Sequence, residues 1–464
     1  MLDEIKRNKK YTIISATYNV ERYLDKFFKA IVAQSLIFEK YICIIIVDDG
    51  STDNSQNIIK KWIQKYPQNI QYIKKENGGQ SSARNLGLLH VKTKWVTFID
   101  PDDFISNRYF EIIHNFLNKN TEKKISLVSC KLIYYFEQWH VNIDYHPLRY
   151  NFQEKENIVM ANNLKDKIQL SVSSAIFNTK LINNIELKFD IRIKPNFEDA
   201  HFIGKYLLAY PESSIVFLKR AKYFYRKRKN ATSTIDNSWG NSSKYNEVLY
   251  FGYLDLFKSY RKKVGIVPKH IQRMVLYDLM WHYKRHMKSP ETISFLSHLQ
   301  KEHYQFLLHK LFESIDIQTI LDFKLAGCDF SYKVAFLHLY KNNSVPYQIM
   351  YIDKFSKNHK KLYCHYFSIL NKSCFVCVDG CNLVPISIKE EKFKFMNKEF
   401  TTRHSLEFIL DSKSKNIQIE IDSVPTYINN YGNKVSEIQN IKSKRSKKLQ
   451  SFVKYIGRKV LLNG

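Results

Sequence analysis

The sequence predicts an α/β protein. It opens with a largely parallel sheet covered by helices on both faces, then runs through a helical segment into a small antiparallel β domain. Three observations predict this. Over the first 100 residues short apolar runs alternate with amphipathic helical patterns. From about 242 to 345 apolar residues recur at helical spacing, as in VLYFGYLDLFKSY, IQRMVLYDLMWHYKRHM and YQFLLHKLFESI. From 346 to about 425 short alternating runs return: YQIMYID, KLYCHYFSI, SCFVCVD, SLEFIL and IQIEID. The expected divisions are 1–240, 241–345, 346–425 and a basic tail over 426–464.

Taken in order, TIISATYN reads as a buried strand. VERYLDKFFKAIVAQSL follows as a helix, with Tyr23, Phe27 and Ile31 on one face. YICIIIVDDG is a second strand ending in Asp48 and Asp49. SQNIIKKWIQKY is a helix with Ser51 or Thr52 as its expected cap. NIQYIKKE is a third strand, SSARNLGLLHV a short helix, and KWVTFID a fourth strand. In sheets of this kind ligands bind beyond the carboxyl ends of the strands. There the sequence places SATYN, Asp48 and Asp49, KENGGQ, and the run Asp100, Asp102, Asp103. Three acids and Pro101 are ordinary turn formers. They are also the oxygen ligands that a hard divalent cation takes. Four strand ends converging on one edge favour the metal. Further on, YFEIIHNFLNK reads as a helix and ISLVSCKLIYYF as a strand. FEDAHFIGKYLLAY is a helix with Glu198 and Asp199 in its first turn, where the helix dipole itself favours acids.

Composition narrows the class. With 44% hydrophobic and 14% aromatic residues the 464-residue chain can bury a core and is no disordered tail protein. Cys43 and Cys130 sit in apolar strands and read as reduced thiols of a cytoplasmic protein. Cys374, Cys377 and Cys381 lie in an apolar strand pattern; zinc is the alternative, but no second pair at metal spacing follows. No signal peptide is expected, and no run approaches the roughly 20 apolar residues of a membrane span. A formal net charge of +29 calls for a polyanionic partner: nucleic acid, anionic lipid or an anionic substrate. In the tail, KSKRSKK precedes an apolar face of Leu449, Phe452, Val453, Ile456 and Val460. This pattern suits a membrane-surface helix or a helix docked on its own protein.

The four linked motifs TIISATYNVERYLDKFF, IIIVDDGSTDNS, ENGGQSSARNLGL and WVTFIDPDDF resemble the family 2 glycosyltransferases of GT-A fold. The resemblance covers roughly residues 10 to 235. AIFNTKLINNIELKFD with NFEDAHF resembles the family's acceptor half, and YFYRKRKNATST its basic loop. The later segments loosely resemble appendages of wall teichoic acid and capsule enzymes. The resemblance implies an inverting transferase that moves a sugar from a UDP-sugar to a surface polysaccharide or lipid-linked acceptor, anionic in character. Ala16, Tyr18, Asp49, Asn77, Gln80, Arg84 and Asp100 would contact the donor, with Tyr18 stacking on the base and Asp49 accepting from uracil N3–H. Asp102 would hold Mn²⁺ or Mg²⁺, and Asp103 would cap the next segment. Asp199 is the expected general base and Glu198 its support, with His201 structural. Arg226, Lys227, Arg228, Ser233 and Thr234 would close over the pyrophosphate. No Q-x-x-R-W motif of processive synthases is present, so a peripheral enzyme at the inner face of the membrane is expected. The rival readings are a same-fold transferase with another donor or a small acceptor, and a non-catalytic polyanion-binding protein. No nucleic-acid-binding module is present to support RNA or DNA as partner.

Overall fold

The computed structural model describes residues 9–164, 166–228, 238–356, 360–369, 374–378, 381–409, 417–421, 424–430 and 433–435. The chain divides into two compact units, 1–329 and 330–464.

In the first unit, β1 (Tyr11–Thr17), β2 (Ile42–Asp48), β3 (Ile70–Lys74) and β4 (Trp95–Phe98) form a parallel block in the order β3-β2-β1-β4. The apolar runs of β1, β2 and β4 are buried on both faces, as interior parallel strands require, while β3 is the part-exposed edge. Beyond β4 the sheet turns mixed, which the sequence pattern did not announce. β9 (Ala175–Asn178) lies antiparallel to β4 and to β6 (Ile125–Phe136). β10 (Ser214–Lys227) runs parallel to β6, with the two-residue β5 (Phe104–Ile105) at its far end. β7 (Val141–Ile143) pairs with β6 and β8 (Glu156–Met160) with β10. The second half of the sheet therefore curls back towards the carboxyl ends of the first.

Helices cover both faces. α1 (Glu21–Val32), α2 (Ser55–Lys65) and α4 (Tyr109–Lys119) pack one apolar layer with Phe27, Phe28, Ile31, Trp62 and Phe110. On the other face lie α3 (Gln80–Leu88), α5 (Thr179–Asn184) and α6 (Glu198–Ala209), around Phe98, Phe177, Phe202 and Tyr206. α3 approaches β1 closely: a Cβ on Gly87 would stand 2.6 Å from Ile14. The expected caps of α2 are corrected. Its N-cap is Asn54, and Ser51 and Thr52 instead meet Asn19, through Asn19 N→Ser51 Oγ (3.1 Å) and Thr52 N→Asn19 Oδ1 (2.8 Å). The predicted helical segment, 241–345, appears as α7 (Asp255–Val264), α8 (Lys269–Lys288), α9 (His298–Glu313) and α10 (Ile317–Asp322) within the first unit, while its last helix, Phe330–Lys341, belongs to the second. Among the described residues no helix is long and apolar enough to cross a membrane.

The second unit opens with α11 (Phe330–Lys341), packed on a sheet that includes β11 (Gln348–Ser356), β12 (Lys361–Ser368), β15 (Ser387–Phe395), β16 (Lys398–Ile409), β18 (Thr426–Asn430) and β19 (Asn433–Val435). β13 (Cys374–Val378), β14 (Cys381–Leu383) and β17 (Ile417–Ile421) form a second small sheet. SIKEEKFKF escapes a reading by pattern because most of it is exposed and its apolar alternation is confined to Phe393 and Phe395. The amphipathic tail lies outside the described residues.

Candidate active site

Asp48 and Asp49 end β2 and divide the work. Asp48 is fully buried and ties the turn, accepting from Ser51 N (2.8 Å) and Tyr72 Oη (2.7 Å). Asp49 accepts from Lys75 Nζ (2.6 Å), Gly78 N (3.0 Å) and Gly79 N (2.7 Å). Gly79 has φ +89°, a left-handed conformation that turns these amides onto one carboxylate. Asp49 thereby fixes the loop that carries Asn77 and delivers Gln80 to the start of α3. The part played by Lys75 has no signal in the sequence. Ala16, next to last in β1, is half-buried, and Tyr18 just beyond the strand is 50% exposed.

Arg84, one turn into α3, organises the centre. Rather than facing outward to base or phosphate, it is 2% exposed and points into the acids. Its Nη2 donates to Asp100 Oδ1 (3.0 Å), its Nη1 donates to Asp199 Oδ1 (2.6 Å), and Glu198 Oε1 lies 3.8 Å away. The guanidinium lies over the rings of Phe98 and Phe189, 5.9 and 5.4 Å from their centroids. One buried cation thus joins the acid at the end of β4 to the pair at the start of α6. Asp100 also accepts from Gln80 Nε2 and from Ser173 Oγ, each at 3.0 Å. Asp199 takes a second bond from Val172 N (3.1 Å). The segment 171–174 (SVSS) therefore belongs to the site. Its only sequence signal is a run of small hydroxyls before an apolar strand.

Burial is the main cause of the raised carboxyl pKa values here. Glu198 is pushed up to about 8 by burial and by Asp199, against the pull of Arg84. Asp199 is raised by burial and held back by Arg84 and the Val172 amide, with Asp100 adding repulsion. α6 begins on Phe197 at φ +78°, a left-handed conformation for a bulky residue. Such a backbone costs on the order of 1–3 kcal/mol and is found at functional sites. The Phe197 ring is held edge-on to Tyr253 at 4.5 Å. His201 is buried and bonds Asp255 at 2.9 Å, away from the acids.

Asp103, expected to cap the following segment, instead clamps β10. It accepts from Tyr223 Oη (2.6 Å) and Arg226 N (2.8 Å). Arg226 departs from the expected lid. It is 5% exposed, donates to the Asp102 carbonyl (2.5 Å) and to Glu137 (3.3 Å), and lies against the rings of Tyr23, Phe104 and Tyr135. Arg228 is the cation that meets the acids, donating from Nη2 (2.5 Å) and Nε (3.2 Å) to Asp102 Oδ2. Lys227 lies against the rings of Tyr134 and Tyr225. Ser233 and Thr234 fall outside the described residues.

Among the described residues no three His, Cys, Asp or Glu side chains stand together as a ready metal cage. Asp102, its side chain 20% exposed, has a pKa raised by burial and by Asp100 and lowered by Arg228. One accessible carboxylate fits a divalent cation that draws its remaining ligands from phosphate oxygens and water. Arg228 must then share or yield Asp102 Oδ2.

Residues 12–169 match the family model described as Glycosyl transferase family 2. Among curated relatives, the minor teichoic acid biosynthesis protein GgaB of Bacillus subtilis (strain 168) is 32% identical over 287 residues, 60% of this chain and 30% of GgaB. GgaA of the same organism is 29% identical over 339 residues, covering 72% of each chain. The chain thus spans less than a third of GgaB's length. The crystal structure of S. aureus TarS 1–349 in complex with UDP-GlcNAc superposes with a TM-score of 0.52 at 19% identity, covering 72% of this chain and 87% of that one. That likeness shows a shared fold, the curled GT-A sheet described above.

Proposed function

We propose, for a chain whose residues 12–169 belong to glycosyl transferase family 2, an inverting transferase that moves a sugar from a UDP-sugar to an anionic surface polymer or its lipid-linked precursor. The observation that carries this reading is the meeting of Asp100 and Asp199 on the one buried guanidinium of Arg84. It puts a donor-side acid and an acceptor-side acid in one site. The relatives GgaB and GgaA, both named for teichoic acid biosynthesis, and the UDP-GlcNAc in the TarS complex support the choice of polymer and donor.

Each residue then has a task. Tyr18 offers an open ring on which uracil stacks. An ionised carboxylate has about four acceptor sites, and Asp49 uses three, so the uracil N3–H takes the fourth. Asp100 and Gln80 contact the ribose or sugar. Asp102 would hold Mn²⁺ or Mg²⁺, and such an ion would supply positive charge to offset the negative charge of the departing UDP. Asp199 accepts the proton of the acceptor hydroxyl as that oxygen attacks the sugar's anomeric carbon from the face opposite UDP. A raised pKa makes Asp199 a better base, and Arg84 opposes the rise by favouring the charged form. Glu198, protonated at neutral pH, donates a hydrogen bond that orients the acceptor. The helical packing behind α6 supports the loop: Lys244 Nζ, buried, donates to Asn196 Oδ1 at 2.7 Å. The basic tail serves peripheral contact with anionic lipid. The reading is tested by assaying hydrolysis and transfer across a panel of UDP-sugars; activity with none, while GDP- or CDP-linked donors react, would overturn the choice of donor.

A further inference from the structure

Away from the acids, the pairing of β6 with β10 is interrupted beyond its first residues. Leu218 lies opposite Cys130 and Lys222 opposite Lys131, so Lys219, Arg220 and Ala221 have no partner on β6. They bulge out where β10 exchanges its other neighbour, β8 as far as Leu218 and β5 from Tyr223. Bulges re-aim side chains and often adjoin active sites. This one opens a cleft of about 430 Å³ lined by Lys131, Lys155, Lys219, Arg220 and Lys222.

The cleft is a charged structure that its own residues leave unbalanced. Lys131 is only 8% exposed and pairs with Asp144; Lys155 lies 3.8 Å from Glu156. Lys219 donates from Nζ to the Gln153 carbonyl (3.1 Å) and from its amide to the Lys155 carbonyl (3.1 Å), which fixes the bulge. Among the described residues no carboxylate is within ion-pair distance of Lys219, Arg220 or Lys222. Lys131 and Lys222 are register partners on parallel strands, so two cations leave one face of the sheet side by side, an arrangement that repels. A bound polyanion relieves it.

The cleft also adjoins the acceptor side of the site. Ser129, two residues before Lys131 on the same face of β6, donates to Gln169 Oε1 (2.6 Å). The segment that follows gives Val172 N to Asp199 and Ser173 Oγ to Asp100. Cys130 N, beside Lys131, donates to the Ser174 carbonyl (2.8 Å), and Ser174 is two residues from Val172, so the backbone at Lys131 lies on the order of 20 Å from Asp199.

We propose that this cleft is an exosite for the phosphodiester backbone of the acceptor, gripping phosphates some distance along a polyol-phosphate chain from the hydroxyl at Asp199. The proposal rests on the reading of an anionic polymer acceptor. A flat bilayer does not reach a buried ammonium such as Lys131 in a concave site, whereas a thin chain of phosphates does. The lining has no aromatic ring on which a nucleobase would stack, so the chemistry suits phosphodiesters without bases.

The test compares the full chain with the triple variant Lys219→Gln, Arg220→Gln, Lys222→Gln, altered only at exposed positions. Binding is titrated directly with a poly(glycerol phosphate) oligomer, with inorganic phosphate and with phosphatidylglycerol vesicles, at low and high salt. Removing three exposed cations should weaken oligomer binding about tenfold, and flatten its salt dependence, with UDP-sugar affinity and UDP-sugar hydrolysis unchanged. Unchanged oligomer binding overturns the exosite. A variant that loses vesicle affinity and keeps the oligomer assigns the cleft to the membrane, and one that loses only inorganic phosphate makes it a simple anion site; either result overturns the proposal. Because binding is read without turnover, failure of the transferase reading would show separately, as no UDP-sugar activity in the unaltered chain.

Discussion

Removing the Arg84 guanidinium should leave three half-buried acids without their shared cation. Arg84→Met keeps a similar apolar stem against Phe98 and Phe189 and deletes the bonds to Asp100 and Asp199 and the nearby charge for Glu198. Breaking a buried ion pair by deleting one partner costs about 3–5 kcal/mol. With a urea m-value near the top of the ~1–3 kcal/mol/M seen for small proteins, the unfolding midpoint should fall by about 1 M or more. All five tryptophans, Trp62, Trp95, Trp139, Trp239 and Trp281, lie in the first unit. Tryptophan emission in a urea titration therefore reports that unit alone. The pH dependence has a definite sign. Without Arg84 the folded acids hold protons more tightly than the unfolded chain, whose carboxyls ionise near pH 4. The deficit should be small near pH 4 and grow as pH rises through neutrality. A variant as stable as the parent at pH 7.5, or one whose deficit ignores pH, would refute the picture of a desolvated acid cluster held by one cation.

Other perturbations follow from the same geometry. Asp102→Asn should leave the fold intact and cut transfer by two orders of magnitude or more, as chelation should; full activity in excess chelator would remove the metal from the account. Glu198→Gln should be mild, within about tenfold in kcat, because the amide mimics the protonated acid present at neutral pH. It should also remove a pH-dependent penalty. Glu198 titrates near 4.5 when unfolded and at about 8 when folded, so its cost to stability grows from pH 4.5 to 8. The variant should gain on the parent over that range in a pH series of thermal melts. Lys244→Met should cost about 1 kcal/mol by leaving the half-buried Asn196 oxygen without its donor, measured by the same tryptophan emission.

The parallel block is readable because its strands are continuous apolar runs that end in polar motifs, and the site acids stand where such strands end. The mixed half is not. β9 and β10 are apolar like their neighbours, and nothing in AIFN or SIVFLKRAKYFYRK encodes strand direction. Arg84 is legible as a site residue but its aim is not, because a cation after a glycine turn looks solvent-facing until Asp199, 115 residues on, is folded against it. Arg226 and Arg228 illustrate the limit further. Two residues apart at the end of one strand, they read as one basic loop; pairing with β5 and β6 buries the first among rings, and the second, just past the strand, meets Asp102. Asp103 looks like a local cap because its partner Tyr223 lies 120 residues away.

The central claim is that Asp199 takes the acceptor's proton in a site whose donor pocket is built from other segments. The most direct measurement is calorimetric titration of Asp199→Asn with the UDP-sugar that the unaltered chain uses, paired with single-turnover transfer. The account predicts donor affinity within about threefold of the parent and a transfer rate lower by about 10² to 10⁴. Loss of donor binding together with transfer would mean that Asp199 holds the donor instead, and transfer at the parental rate would mean that another group is the base.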